Sequence, residues 1–309
     1  MKSRSNKVNR IFLLTTGTAI ALSVLTVSPS ADQPARVIQT AALQNDCDRM
    51  AGSAYDLDRN NAFAPVSIEN IDGQAIGACR TAFEATGNPR FAFQLGRALN
   101  TAQEADQAMS AYEAAVKGGY SAAKVNFGML MGRLGDVSQE FKLYSEAAES
   151  GNVLAQYNLG VAYRDGLGTE ANGQQALHWF EEAVTGGDNT AAFNIGAMYD
   201  EGTLVEEDNQ TAIAWYDLAA QRGNTDAMIN LGLMYENGEG ITANPVLAAE
   251  LFRAAAEKGD VFGAYKLAQL QDNGKTPAVP AENQLAESVN TLVLKQGDVE
   301  PFASTAKDI

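Results

Sequence analysis

Apolar positions along the chain fall at helical spacing and in paired stripes. Between residues 153 and 185, Ala155, Leu159 and Tyr163 lie at i, i+4 and i+8, and Ala176, Phe180, Ala183 and Val184 follow at i, i+4, i+7 and i+8. Each stripe covers one side of a helix, so the segment predicts two helices, A and B, that bury their stripes against each other. The pair of stripes returns as Ala191, Ile195 and Tyr199 with Ala212, Tyr216, Ala219 and Ala220. It returns again as Ala227, Leu231 and Tyr235 with Ala248, Phe252, Ala255 and Ala256.

Two landmarks fix the period. Leu95-Gly96, Phe127-Gly128, Leu159-Gly160, Ile195-Gly196, Leu231-Gly232 and Leu267-Ala268 are separated by 32, 32, 36, 36 and 36 residues. A glycine that usually precedes Asn or Asp recurs at Gly87, Gly119, Gly151, Gly187, Gly223 and Gly259 with the same offsets. Two ladders in one register define an internal repeat. A glycine inside helix A costs about 1 kcal/mol relative to alanine, so its recurrence after the Leu predicts a close approach of helix B. The glycine after helix B suits a left-handed helix terminus.

The motifs "AQYNLGVAYRDGLG" at 155–168, "AMINLGLMYENGEG" at 227–240 and "AIAWYDLAAQRGN" at 212–224 resemble the Sel-1-like repeat, a relative of the tetratricopeptide repeat. The resemblance covers about residues 87–274. Repeats at 88–151 lack the G-x-G loop and look like ordinary tetratricopeptide, and in the unit 189–224 the loop reads Gly202-Thr203-Leu204, without its second glycine. The resemblance implies an all-α, right-handed superhelical solenoid of helix pairs. It also implies that a stripe of helix A, holding Tyr157, Val161 and Arg164 with Asn158 at its edge, lines a concave groove that binds peptide. On that basis Asn126, Tyr157, Asn158, Arg164, Phe193, Asn194, Ile229 and Asn230 are the candidate partner-binding residues. Asparagine can donate and accept toward a peptide backbone, while Tyr157, Phe193 and Ile229 supply apolar floor. The same side chains also suit packing and hydrogen bonding between repeats.

The first residues change the setting. Lys2, Arg4, Lys7 and Arg10 precede an apolar run from Ile11 to Val27, with Ser28, Ser30 and Ala31 after it, the pattern of a secretory signal peptide over 1–30. An uncleaved anchor is the alternative, because the run is at the short limit for a membrane span. Export to the periplasm or another extracytoplasmic site gives meaning to Cys47 and Cys79, the two cysteines of the chain. In an oxidising compartment they predict a structural disulfide. A reactive or metal-binding role lacks a C-x-x-C or a nearby histidine. The segment 31–86, with its C-D-x-x-A start at Cys47 and D-x-x-R turn at Asp56–Arg59, resembles the module that precedes such repeats in exported bacterial proteins. That resemblance implies a disulfide-stapled N-terminal cap. After Lys275 two prolines interrupt the pattern; 282–296 then reads as a capping helix within a C-terminal unit 275–309, since a terminal repeat leaves an apolar face to cover.

Charge narrows the partners. With 22 Lys+Arg against 38 Asp+Glu the formal charge is −16, and removing a leader with four cations and no acid makes the rest more acidic. Such a chain repels phosphate backbones, which excludes nucleic acid as the main partner. An acidic groove favours a basic protein segment over polysaccharide. Candidate chemistry is sparse: no cofactor or metal site is expected. Asp56–Asn61 resembles a calcium loop superficially but lacks the glycine at its sixth position and the terminal Glu. The single histidine, His178, sits beside Trp179 as a surface or packing residue, and Glu206-Glu207-Asp208 reads as a solvated loop. The leading function is an exported, non-enzymatic scaffold or regulator that binds a protein or peptide, such as an envelope sensor or cell-wall complex. The alternatives are an envelope structural or peptidoglycan-associated protein and, last, a β-lactamase-like hydrolase, whose cysteine-rich repeats this chain does not share.

Overall fold

The computed structural model describes residues 32–54, 56 and 58–274, with side chains from residue 41 onward. The leader 1–30 and the capping helix expected at 282–296 lie outside the described residues. Two helices, α1 (Asp32–Ala51) and α2 (Gln74–Thr86), precede an array of pairs. The pairs are α3 (Pro89–Thr101) with α4 (Ala105–Lys117), α5 (Ala122–Arg133) with α6 (Val137–Ala148), and α7 (Val153–Asp165) with α8 (Gly173–Thr185). They continue with α9 (Asn189–Glu201) and α10 (Asn209–Gln221), and α11 (Thr225–Asn237) and α12 (Pro245–Glu257); α13 (Val261–Asp272) opens a sixth unit. Packing runs chiefly between helices adjacent in sequence, the quasi-one-dimensional arrangement of a solenoid. Among the described residues no helix is long and apolar enough to cross a membrane.

The landmark glycines act as the sequence predicts, and their neighbours do more. Gly151, Gly187, Gly223 and Gly259 adopt φ of 81°, 96°, 93° and 92°, where a side chain would be strained. The next residue caps the following helix. Asn152, Asp188, Asn224 and Asp260 accept hydrogen bonds from the backbone N–H three residues on, at 3.0, 2.9, 2.8 and 2.6 Å, each worth about 1 kcal/mol. One dipeptide therefore ends helix B and starts the next helix A.

The core is a row of rings on glycines. A Cβ at Gly96, Gly128, Gly160, Gly196 or Gly232 would lie 2.5–2.7 Å from ring atoms of Tyr112, Tyr144, Phe180, Tyr216 or Phe252 respectively. Helix A has to be bare there for the aromatic of helix B to seat flat against it. The A–B loops follow the same logic. Gly168 sits against the Val137 carbonyl, and Gly240 against Asn209. Where the second loop glycine is replaced by Leu204, the contact falls on Gly173, whose Cβ would lie 2.3 Å from the Leu204 carbonyl. One glycine serves each loop contact, on either side of it.

Candidate functional site

The N-terminal segment forms one wall of a cleft on the A-helix face. Cys47 on α1 and Cys79 on α2 are joined by a disulfide, Cα–Cα 4.6 Å, and both are fully buried. Next to it Asp48, 2% exposed, accepts hydrogen bonds from Arg90 (3.0 Å), Gln94 (3.0 Å) and Asn60 (2.9 Å). The buried Arg97 guanidinium donates to the carbonyls of Ala51 (2.5 Å) and Val66 (2.8 Å). Tyr120 donates to Asp56 at 2.6 Å, and the Asp58 N–H reaches the other Asp56 oxygen at 3.0 Å. The loop that superficially resembles a calcium site thus directs its buried carboxylate inward. Sequence reasoning missed this network. Its signal lay in the first repeat, where Gln94 stands at the recurrent asparagine position and Arg97 at a position that is apolar in the next four repeats.

These bonds hold residues 53–69 over α3, α5 and α7, leaving a cleft of about 580 Å³. Ile68 and Met129, 44% and 49% exposed, face it with Leu154, Asn100, Asn126 and Arg133. Met129 and Asn100 occupy the positions of Val161 and Arg164 in their own repeats. The stripe read from the longer repeats therefore continues into the shorter ones.

The remaining candidates divide by what they touch. Tyr157 and Phe193 are half-buried, with ring centroids 5.9 Å from Phe180 and 5.7 Å from Tyr216, and Ile229 is buried. Asn230 donates to the Tyr216 hydroxyl (3.1 Å), which donates to Asp200 (3.1 Å). Asn126 lies next to the buried Tyr112 hydroxyl; burial pushes that phenol up, and the amide works in the opposite direction. Phe180 has no hydroxyl to offer, and the buried Asn194 instead accepts from Arg164 and donates to the Thr190 carbonyl at 2.9 Å. Arg164 also pairs with Asp165 at 2.7 Å, which raises its pKa. Tyr144 turns its hydroxyl to Glu140 (2.9 Å), so Asn158, half-exposed, makes no hydrogen bond among the described residues. Recurrent asparagines therefore link repeats at Asn194 and Asn230, and Asn158 is left over.

Charge is not uniform along this face. Arg97, Arg133 and Arg164 lie in its N-terminal half, while the positions equivalent to Arg164 in the following repeats are Asp200, Glu236 and Asp272. The acidic groove expected from the composition is confined to the C-terminal half.

Several carboxylates along the array are held above their usual range, chiefly by burial: Asp56, Glu181, Asp200, Asp217 and Glu250. A raised folded pKa means that the native state binds protons the unfolded state has released. Stability from these groups is complete below the ordinary carboxylate range, about 4, and declines as pH rises through their folded values. The exposed Asp208 and Glu69 are shifted down by hydrogen bonds and oppose this weakly. Urea melts from pH 7.5 to 5 are expected to show midpoints that increase toward pH 5; a falling midpoint would contradict the assignment.

The serine-lysine spacing of one hydrolase class occurs at Ser121-Ala122-Ala123-Lys124. Lys124 Nζ is paired with Glu146 on α6 at 2.9 Å, and the Ser121 hydroxyl makes no hydrogen bond among the described residues. The two groups are not coupled as a nucleophile and its base require. His178 is exposed and stacks edge-on with Trp179 at 4.9 Å. Glu206, Glu207 and Asp208 are exposed, and Asp208 caps α10.

Known proteins place this architecture. The profile of the Sel1 repeat matches residues 153–188, 190–224 and 225–260. Among solved structures, the chain is similar to c5321, a protective antigen of uropathogenic Escherichia coli strains displaying an SLR fold, with 26% identity and a TM-score of 0.64 over 80% of this chain and 52% of that chain. The chain thus spans about half the length of that antigen. It is also similar to a Sel1 repeat protein from Oxalobacter formigenes, with 27% identity and a TM-score of 0.57 over 71% of this chain and 94% of that one. Pseudomonas aeruginosa pilF shares the fold at 18% identity, TM-score 0.50, over 76% of this chain and 99% of its own. No curated protein matches the sequence.

Proposed function

We infer that this chain, a Sel1 repeat protein by its three matched units, acts as an exported, non-enzymatic scaffold or regulator that holds a segment of a partner protein on its A-helix face. Repeat arrays of this kind typically serve as protein-binding scaffolds. The observation that carries the reading is the cleft beside the N-terminal segment. Ile68 and Met129 are large apolar side chains exposed to solvent in a concave site, flanked by Arg133, Asn100 and Asn126, which can bond to a peptide backbone or carboxylate. Asn158, with no partner inside the array, extends the polar edge into the third repeat. The buried disulfide and the basic-then-apolar leader support a site of action outside the cytoplasm.

The test is affinity capture from an envelope extract with the chain from residue 31 onward, in parallel with Met129→Glu and Asn158→Ala variants. Both substitutions are at solvent-facing positions and should leave circular dichroism and melting unchanged. Capture of one defined protein, reduced at least about tenfold by Met129→Glu, is the expected result; a desolvated apolar anchor is worth that much or more. Equal capture by all forms moves the contact off this face. Retention on purified cell-wall sacculi, with no protein captured, would replace the scaffold reading by a cell-wall one.

A further inference from the structure

Among the described residues the sixth unit is half a repeat. In the first and third units the residue six before the helix A Leu packs on the end of its own helix B, Pro89 on Gly118 and Val153 on Gly186. Where the residue two before it is aromatic it packs on the helix B ring, Phe93 on Tyr112, Tyr157 on Phe180 and Phe193 on Tyr216. In α13 these positions are Val261 and Tyr265, 82% and 60% exposed. Leu267 is only half-buried, whereas Leu159, Ile195 and Leu231 are buried. The face that no helix B covers among the described residues is the face that carries these side chains.

We propose that residues 286–296 of the same chain occupy that face as a B helix of altered composition. In the third to fifth repeats helix B has one signature: an Ala four before the ring, small or apolar residues three and four after it, then Gly and Asn or Asp at seven and eight. Ala248, Phe252, Ala255, Ala256, Gly259 and Asp260 show it. The segment after α13 repeats it in register with Ala286, Asn290, Val293, Leu294, Gly297 and Asp298. The ladder of glycines thus continues from Gly259 to Gly297, two residues longer than the preceding step.

The departures from the signature are matched to each other. In five repeats a bare glycine faces an aromatic ring, and a Cβ there would lie within 2.7 Å of it. In the sixth the glycine is Ala268, so a ring has no room; the ring position is Asn290, and no aromatic residue occurs from 276 to 301. Val293, where all five complete repeats have Ala, restores part of the lost volume. Only a helix B shaped for this A helix carries both changes. The loop from Asn273 to Ala286, with Pro277 and Pro280, is long enough, since the unit at α11 and α12 joins Asn237 to Ala248 with fewer residues. Seated there, the segment ends the array, so stacking of a second copy on α13 is blocked.

Two measurements on the full chain test this, and neither involves a partner, so they stand or fall apart from the scaffold reading. First, Ala268→Cys combined with Asn290→Cys should oxidise spontaneously, because residues facing each other across a ring-free A–B contact reach the Cβ separation of about 3.5–4.5 Å that a disulfide needs. Expected are near-complete loss of free thiol and a single intrachain 268–290 linked peptide. In the control pair, Ala268→Cys with Val289→Cys, the second cysteine is turned away by one helical position and should keep its thiols. Persistent thiols in the first pair, equal linkage in the control, or links between chains would overturn the proposal, the last in favour of a second copy. Second, in the unmodified chain, amide exchange at 287–296 should be at least about tenfold slower than at 300–309; equal exchange overturns the proposal without relying on any variant.

Discussion

Replacing Cys47 and Cys79 together by alanine is expected to cost the N-terminal unit about 3–4 kcal/mol, the loop-entropy value for two residues 32 apart. The size follows from what else holds the unit. Its buried side chains between α1 and α2 are Cys47, Ala51, Ala75, Cys79 and Ala82, with Ile71 the largest; alanines remove little apolar surface from water. The rest is polar: Asp48 to Arg90, Gln94 and Asn60, and Arg97 to two carbonyls. Those bonds require α1 to keep its register on α3, which the disulfide enforces through α2. A solenoid transmits stability between neighbours only, so the loss should be local. Thermal melts of the variant should split, with a first transition that exposes 52–73 to protease and a second close to the parent transition. A single transition shifted by less than the equivalent of about 0.5 kcal/mol would show that the polar network suffices alone.

Much of this architecture is legible in the residues. The ladders at Leu-Gly and at Gly-Asn/Asp give the number, period and pairing of helices, because a ring that needs a bare backbone and a turn that needs a left-handed residue leave glycines at fixed places. The cysteine pairing is equally direct. Less visible is what the polar members of the repeat do. Asn126, Asn158, Asn194 and Asn230 share one position, yet their partners differ because the preceding ring carries a hydroxyl in Tyr112, Tyr144 and Tyr216 and none in Phe180. Whether the amide is engaged depends on further residues of the preceding repeat, on Glu140, which takes the Tyr144 hydroxyl, and on Arg164, which donates to Asn194, and a motif read one repeat at a time does not contain them. The cleft is hidden for a related reason. Its wall is the irregular stretch 53–69, positioned by Asp48, which takes Asn60 from 12 residues away and Gln94 from 46, and by Arg97, which reaches Val66 from 31.

The row of rings on glycines predicts the largest effect inside the array. Phe180 is fully buried and lies on Gly160, with the Tyr157 ring tilted against it; Phe180→Ala should destabilise the third and fourth repeats by about 3–5 kcal/mol, transfer and cavity terms together. Gly160→Ala should cost less, about 1–3 kcal/mol, because a methyl 2.6 Å from the ring forces it off its seat. The informative measurement is the cycle of both. With Phe180 truncated, the methyl at 160 no longer meets a ring and fills part of the cavity, so the double variant should be no less stable than Phe180→Ala alone. A coupling of at least about 1 kcal/mol by urea melts is expected. Strict additivity would mean that the glycine serves the helix backbone and not the ring, and would also remove the reason for pairing Ala268 with a ring-free helix at the end of the chain.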